Sequence, residues 1–377
     1  MSRINRAPFE SHNLIDVTSF RFRADPRGIL DSAAIINAAI QYAKNNGWAG
    51  IFIPKGTYIM EESLKPADDI VIAGAGQNNT FLIAKVGADI NGVEVIPQFH
   101  ATTRMVLQDL CIDMNRANNT YGQNFGHGLN LAIALSTIKR VNFRNIAKAA
   151  IRVNFDDRLY ANFDLTTPLN RIEENNIEDA GTYGLEIGYR CTDSWWSKNN
   201  IGSTIANVKL NGGVQRFMEN HFDGTPDYNV WIPGGAQNLL FYGNIMENTN
   251  KNNVLISSPA DWAMSRNISF VGNMITNASN AGDGVYDMLK FEGIASNISK
   301  GIMVTGNSFN DAGGNKPRYV VAVNDWDGVI VSGNSFTETH KEVEPIAFAA
   351  VTNGKVSGNT SDTIATKTTV DLNPVRD

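Results

Sequence analysis

The segments Met303–Phe309 (MVTGNSF) and Ile330–Phe336 (IVSGNSF) show one pattern twice, 27 residues apart. An apolar residue stands three positions before an asparagine, and another stands two positions after it. Six further segments repeat this arrangement, with Ser361 as the one polar exception, around Asn175, Asn199, Asn220, Asn244, Asn273 and Asn359. Successive asparagines are 24, 21, 24, 29, 34, 27 and 25 residues apart, and such periods indicate a solenoid or a propeller.

The repeat length separates these two architectures. A propeller blade needs four strands and about 40 residues or more, whereas a solenoid rung of three short strands fits in about 26. Asparagine at a turn can adopt the left-handed conformation, and stacked asparagines can bond along their column through the side-chain amides. The sequence therefore predicts an all-β protein, a right-handed parallel β-helix of about ten rungs that starts near residue 50.

An amphipathic helix is predicted before the repeats. Asp31 or Ser32 can cap it and Gly47 can end it, while its apolar stripe consists of Ile35, Ile36, Ala39, Ile40 and Ala43. Such a helix would cover the open end of the solenoid, where unpaired strand edges invite aggregation. We expect an N-terminal segment with this capping helix over residues 1–48 and the β-helix over residues 49–377.

Composition excludes several classes of protein. The net charge of −6 and the pI near 5.5 argue against nucleic-acid binding, which needs a basic surface. The sequence contains no apolar run long enough to cross a membrane, and residues 1–14 show no secretory signal. We expect a location in a virion tail or the cytoplasm, with release from the cell as a further option. Cys111 and Cys191 lack metal-site spacing and are expected to be buried free thiols, and no cofactor or metal is predicted.

Several stretches resemble the pectate-lyase-like superfamily. The predicted helix, IFIPKGTY, VIAGAGQNNTFL and DLCIDMN are similar, in that order, to the opening of its phage tailspike and bacterial depolymerase members. CTDSWWSKNNIG and LNGGVQRFMENHF resemble their middle rungs, although the usual acidic GDGxxDD start is here DPRGILD. The resemblance implies a β-helix that cleaves glycosidic bonds in a polysaccharide, most simply a tailspike-like hydrolase.

A second resemblance is to the inulin fructotransferases. IDVTSFRFRADP, IFIPKGTY, IAGAGQ, DLCIDMN and NHFDGTPD are similar to stretches of that family. It implies intramolecular fructosyl transfer that forms a cyclic difructose. Both families form trimers, so the resemblance implies a homotrimer in addition to a polysaccharide or oligosaccharide substrate.

Candidate catalytic carboxylates follow from the register of the repeat. Asp223 and Glu247 both lie three residues after their asparagine, which places them one rung, or about 4.8 Å, apart. Carboxyl groups about 5–5.5 Å apart suit a retaining glycosidase, whereas a wider pair such as Glu178 and Asp223 would suit inversion. Asp227 and Glu186 are further candidates, although Asp227 is also expected to pair with Lys251. The alternative is that all of these are solvated turn residues.

Candidate substrate-binding residues are mostly aromatic. Trp195 should point away from the core because its neighbour Trp196 occupies the core column. Tyr183, Tyr189 and Tyr228 are expected to support it as a sugar-stacking surface, and Trp231 and Arg190 are further substrate-binding candidates. Trp231 and Glu186 both lie eleven residues after their asparagine, and Leu210 and Leu255 hold that place in two other rungs. Trp231 could therefore belong to the core instead.

Two other classes of function stay open. A polysaccharide lyase would use acidic residues to hold a Ca²⁺ ion that neutralises a uronate and an arginine or lysine as base, for which the candidates are Asp156, Asp157, Arg158, Arg190 and Lys209. A non-catalytic carbohydrate-binding spike would need none of these groups. His127 and His221 are expected to be structural or to bond a sugar, rather than to act in catalysis.

Overall fold

The computed structural model describes residues 13–95, 101–153, 169–188, 191–224, 226–258, 264–296, 298–337, 345–361 and 370–372. These residues form a right-handed parallel β-helix, as the repeat predicts. Each complete rung contributes one strand to each of three parallel stacks. The third stack contains ten strands among the described residues, whereas the first and second stacks contain thirteen each, so at most ten layers have all three strands.

The strands are short and stack in parallel, with register shifts between Ile177 and Ala180 and between Arg27 and Asp31. The first stack comprises Leu14–Asp16, Gly50–Ile53, Val71–Gly74, Val106–Asp113, Thr137–Arg144, Arg171–Glu173, Ser194–Ser197, Gln215–Met218, Gln237–Tyr242, Arg266–Val271, Ser299–Thr305, Trp326–Ser332 and Thr352–Ser357. The second comprises Arg27–Asp31, Gly56–Met60, Thr80–Ala84, the ends of Val106–Asp113 and Thr137–Arg144, Asn176–Ala180, Asn200–Ser203, His221–Gly224, Ile245–Met246, Met274–Thr276, Ser308–Asn310, Ser335–Thr337 and Thr360–Ser361. The third comprises Val93–Glu94, Leu129–Leu131, Ile151–Val153, Tyr183–Ile187, Ala206–Leu210, Tyr228–Ile232, Val254–Ser257, Leu289–Glu292, Val321–Asn324 and Ile346–Ala349.

Two further pairings complete the sheets. Thr102–Thr103 pairs with Ile133–Ala134, and Val370–Leu372 runs antiparallel to Thr352–Ser357. Parallel pairing already begins at Leu14–Asp16, which lies against Gly50–Ile53. Part of the N-terminal segment is thus the first layer of the solenoid, and the expected division at residue 48 stays a prediction.

The repeated asparagines form a continuous buried ladder. From Asn175 to Asn359, each side-chain amide nitrogen donates to the side-chain oxygen of the next asparagine over 2.9–3.0 Å. The backbone N–H of each asparagine donates to that same oxygen, at 2.9–3.1 Å. The predicted ladder is therefore confirmed, and it satisfies polar groups at the turn between the first and second stacks.

The left-handed residue of this turn is the one before each asparagine, which corrects the expectation that asparagine itself adopts that conformation. Glu174, Lys198 and Glu219 have φ of 55–58°, and glycine takes the position from Gly243 onward. The glycine of the later SGN motifs is therefore explained by its backbone angle, because other residues pay about 1–2 kcal/mol there.

The apolar columns on either side of the ladder form the core. Trp196, Phe217, Phe241 and Phe270 stack ring on ring, with centroids 6.0, 4.8 and 4.6 Å apart. The column two residues after the asparagine is equally buried from Ile177 to Phe336. Both predictions for the core are confirmed.

The predicted helix spans Ala33–Asn45 and packs on the first strands, with Ala33, Ile36, Ala39, Ile40 and Ala43 buried. Ser32 is at its N-cap position, but the hydroxyl accepts from the N–H of Asp25 instead of from the helix. Cys111 and Cys191 are buried free thiols, as expected. Within the described residues, no helix is both long and apolar enough to cross a membrane.

Candidate functional site

Two clusters of polar side chains lie on the outer faces of the central rungs. We call His221, Asp223 and Glu247 the carboxylate cluster. We call Arg152, Tyr183, Glu186, Lys209, Tyr228 and Trp231 the cation-aromatic cluster. The first belongs to the second stack and the second belongs to the third stack.

The carboxylate cluster forms because strand alternation points His221 and Asp223 outward while Phe222 enters the core. Phe222 is in register with Met246, so Glu247 follows beside Asp223, as the repeat predicted. One polar atom from each of the three side chains lies within 4.8 Å of the others. Nε2 of His221 is 3.1 Å from Oε2 of Glu247. Two carboxylates and an imidazole thus meet on a half-exposed surface.

A second asparagine ladder, which sequence reasoning missed, anchors this cluster from inside. Asn207 donates to the carbonyl of Asp223 over 2.9 Å, and Asn229 donates to the carbonyl of Glu247 over 3.0 Å. Asn207, Asn229 and Asn253 also bond to one another, at 2.7 and 2.6 Å, and are fully buried. Their spacing of 22 and 24 residues was the available signal.

Glu178 lies outside the carboxylate cluster. It is two rungs from Asp223, with Gly202 in the register position between them. Its carboxylate is 3.4 Å from Nε of Arg144 and accepts a bond from Asn142. Glu178 and Asp223 are thus two rungs apart, as the wider pair requires, but Glu178 is already paired with Arg144.

The cation-aromatic cluster is centred on Glu186, whose side chain is 7% exposed although it points to the outer face of the third stack. Its two oxygens lie 3.1 Å from Nε of Arg152 and 3.1 Å from Nζ of Lys209. Register explains the meeting, because Arg152, Glu186 and Lys209 occupy one column on successive strands. Two cations on one carboxylate leave a net positive charge on a chain of net charge −6.

Aromatic rings cover this charged column. Nζ of Lys209 lies 4.6 Å from the ring centroid of Tyr183 and 5.6 Å from that of Trp231. Tyr228 stacks on Trp231 with centroids 5.9 Å apart.

Trp231 is the register partner of Lys209 in the outward-facing column, so it is not a core residue. Equal counting placed Leu210 in this column, but the residue there is Lys209. The reason is that Lys209 lies ten residues after its asparagine, Asn199. Glu186 and Trp231 lie eleven residues after theirs, so equal counting selects Leu210 instead.

The remaining candidates have separate surroundings. Asp227 pairs with Lys251 at 2.9 Å, as expected, and this raises the pKa of Lys251. Trp195 points outward as predicted but lies on the first stack between the guanidinium groups of Arg171 and Arg216. It therefore does not share a surface with Tyr183 and Tyr228, contrary to expectation. Tyr189, Arg190, Asp156, Asp157 and Arg158 lie outside the described residues.

Two basic groups close enough to Arg152 to respond to its charge have lowered pKa values. Burial, followed by the charges of Arg152 and Lys148, lowers the pKa of His127 to about 3. Its Nδ1 accepts from the N–H of Ala149, so His127 is a neutral structural residue, as expected. Burial also lowers the pKa of Lys148, as does the charge of Arg152, whereas the charges of Asp89 and Glu186 raise it.

Comparisons with known proteins agree on the architecture. A family model described as "Rhamnogalacturonase A/epimerase, pectate lyase-like" matches residues 14–204, half of the chain. The chain is 28% identical over 134 residues to mannuronan C5-epimerase AlgE6 of Azotobacter vinelandii, a match that spans 32% of this chain and 15% of that protein.

Solved structures share the fold at low sequence identity. The AlgE6 A-module has a TM-score of 0.68 at 16% identity, with 92% of this chain and 99% of that chain covered. Gene product 12 of bacteriophage phi29 has a TM-score of 0.68 at 12% identity, covering 92% of this chain and 52% of that chain. An exopolygalacturonase from Thermotoga maritima has a TM-score of 0.61 at 9% identity, covering 94% and 93%. These likenesses establish the fold alone.

Proposed function

The chain belongs to the rhamnogalacturonase A/epimerase, pectate lyase-like family, and from that premise we propose that it is an enzyme acting on an acidic polysaccharide. The observation that carries the proposal is Glu186, nearly buried on an outer face with a cation on each oxygen and aromatic rings alongside. Charged side chains are rarely so buried unless paired, and functional sites are where such arrangements concentrate.

The cation-aromatic cluster has the parts that uronate chemistry requires. Trp231 and Tyr228 offer stacked rings as an apolar surface for a sugar ring. Lys209 and Arg152 can neutralise the carboxylate of a bound uronate, which makes the proton on the adjacent C5 carbon removable. Glu186 holds both cations in place, and we assign it a positioning role.

The hydroxyl of Tyr183 is the group we assign to proton transfer, because its ring lies against Lys209. Removal of the C5 proton leaves an electron pair that the neutralised carboxylate delocalises. Protonation of C5 by water on the opposite face gives an epimer and leaves the original C5 proton on the Tyr183 oxygen. In elimination the oxygen at C4 departs with that proton, a C4–C5 double bond forms, and the chain is cleaved. The relative named as a mannuronan epimerase supports the uronate class.

A panel of polysaccharides in deuterated water tests this proposal. Polymannuronate, polygalacturonate and inulin would be incubated with the protein and examined by NMR and mass spectrometry. Deuterium at C5 indicates proton exchange, and an unsaturated chain end indicates elimination. Tyr183→Phe should abolish either reaction, whereas Tyr242→Phe removes a hydroxyl from the first stack and should not. If Tyr183→Phe retains full activity on a polymer whose C5 proton the parent protein exchanges, Tyr183 is not the proton-transfer group.

The carboxylate cluster supports a second candidate function, hydrolysis of a glycosidic bond. The separation of at most 4.8 Å between the acting oxygens of Asp223 and Glu247 is nearer to the retaining distance of about 5–5.5 Å than to the wider inverting one. Asp223→Asn and Glu247→Gln should each reduce turnover at least about a hundredfold if this pair acts, since proton transfer alone contributes about 10²–10⁴. A cyclic difructose from inulin would indicate fructosyl transfer instead, and no product from any polymer would favour a binding spike.

We also propose a homotrimer. A strip of exposed apolar side chains on the first and second stacks supports it: Tyr242, Ile245, Met274, Met303 and Ile330, each 37–49% exposed. Exposed apolar surface of this kind is typical of protein interfaces. Light scattering that gave 41 kDa, the mass of one chain, would contradict the trimer. A location in a virion tail is a proposal too, supported by the phage name of one structural neighbour.

A further inference from the structure

A cavity of about 520 Å³ opens on the C-terminal rungs, apart from both clusters. Its wall includes Arg266, Lys300, Asp327 and Thr352, each the first or second residue of one of four successive strands in the first stack. Asn353 and Ile298 also line it. Cavities that hold small ligands have volumes of about 300–1,000 Å³. The space is therefore adequate for a sugar unit.

Like charges are adjacent on this wall. Arg266 and Lys300 are register partners on neighbouring strands, a placement that destabilises a sheet when nothing compensates it. Asp327 is the next residue in the column. Its Oδ1 accepts from Oγ1 of Thr352 at 2.9 Å and from Nδ2 of Asn353 at 2.7 Å, and these bonds lower the pKa of Asp327. The carboxylate is thus held ionised by its own neighbours, and the three charges leave the wall net positive.

We propose that this cavity binds an acidic sugar residue through its carboxylate. The planar guanidinium of Arg266 suits a two-point bond to a carboxylate, and Lys300 supplies a second charge. Ile298 provides apolar wall for a sugar face. The acidic sugar is chosen in line with the proposed function, but binding here requires no reaction at the cation-aromatic cluster.

The position along the axis fits a polymer that spans several rungs. Trp231 is in register with Leu255 in Val254–Ser257, and the next strand of the first stack begins at Arg266. Rungs are about 4.8 Å apart, so the cavity starts within roughly 10 Å of the Trp231 rung along the axis. The cluster lies on the third stack and the cavity at the start of the first, so a polymer that reaches both must cross the corner between Val254–Ser257 and the strand beginning at Arg266.

Calorimetry with an acidic tetrasaccharide tests the inference. Tetragalacturonate or tetramannuronate would be titrated into the Tyr183→Phe protein, which prevents turnover. Adding Arg266→Ala and Lys300→Ala together should weaken binding about tenfold or more, because charge-assisted bonds are lost. Lys355→Ala, an exposed cation of the first stack outside the cavity, is the matched control and should leave affinity unchanged.

The outcomes separate this inference from the proposed function. If the double variant binds as tightly as its parent while Lys209→Met does not, the cavity assignment is wrong and the proposed function stands. If the double variant loses affinity and Lys209→Met keeps it, the cavity assignment stands alone. Equal binding of neutral maltotetraose, or of inorganic phosphate with the same affinity, would overturn the assignment to an acidic sugar, as would no binding to the parent.

Discussion

Adjacent asparagines in one rung allow the ladder's contribution to stability to be measured directly. Asn199 is a buried ladder residue, whereas Asn200 is exposed and donates to Oδ1 of Asn176 on the outer face. We expect Asn199→Ala to destabilise the protein strongly and Asn200→Ala to have little effect. The two substitutions remove the same atoms one residue apart, so the change in composition is matched.

The magnitude follows from the bonds that Asn199 makes. Its oxygen accepts from N–H and Nδ2 of Asn175 at 3.1 and 2.9 Å, and its Nδ2 donates to the carbonyl of Ile172 at 3.0 Å. Nδ2 of Asn199 also donates to Oδ1 of Asn220, but in the variant that oxygen still accepts a hydrogen bond from the backbone N–H of residue 199. Three buried groups therefore lose a partner, and at about 1–3 kcal/mol each the loss is at least about 3 kcal/mol. The exposed Asn200 bond should be worth less than about 1 kcal/mol.

Urea unfolding followed by far-ultraviolet circular dichroism measures the difference. Because solenoid rungs contact only their neighbours, unfolding can proceed in steps, and the first transition to respond should be the one that includes the central rungs. Intrinsic tryptophan fluorescence reports on that region through Trp196, which is buried beside the ladder. If Asn199→Ala lowers the midpoint no more than Asn200→Ala does, the ladder contributes specificity of register without the assigned stability.

Three further predictions concern single positions. Gly306→Ala meets open space at φ 66°, so it should cost about 1 kcal/mol through backbone strain alone in urea unfolding. Burial raises the pKa of Asp311 to about 6 from 3.8; the folded pKa lies above the unfolded one, so the free energy of unfolding should fall as pH rises from about 4 to 6. Asp311→Asn should remove that dependence in unfolding measured at both pH values. Asn229→Leu removes the bond to the carbonyl of Glu247, so hydrogen exchange of the amides around Glu247 should accelerate while those around Asn175 stay protected.

The fold was predictable because one turn repeats with little variation. The asparagine, the core residues on either side of it and the short second strand form a unit whose spacing is fixed by backbone geometry. The left-handed residue was assigned one position too late because asparagine and glycine both tolerate positive φ. The run of glycines from Gly243 to Gly358 identifies the correct position, but Glu174, Lys198 and Glu219 hide it in the earlier rungs.

The two clusters differ in predictability for the same reason. Asp223 and Glu247 follow the asparagine within the repeated unit, so equal counting from the asparagine predicts that they lie side by side. Glu186, Lys209 and Trp231 lie beyond a turn whose length changes between rungs, so counting paired Glu186 with Leu210 instead of Lys209. Arg152 could not be placed by counting, because its rung precedes Asn175, the first asparagine of the repeat. The register can therefore be counted across the turn between the first and second stacks, but not across the turn between the second and third stacks, where the number of residues varies.

All members of both clusters except Arg152 and Glu247 lie where the asparagine spacing is shortest, and turn length explains why. Between Asn175 and Asn244 the spacing is 21–24 residues, which leaves few residues beyond the strands and hence little chain to cover the outer faces. Between Asn273 and Asn307 it rises to 34, and the additional residues form the connections around 277–288 and 293–298. Core packing depends only on inward-facing residues, so outward positions can change without cost to the solenoid. An uncovered face with free choice of side chains is the requirement for binding a long polymer, and the central rungs are where this chain meets it.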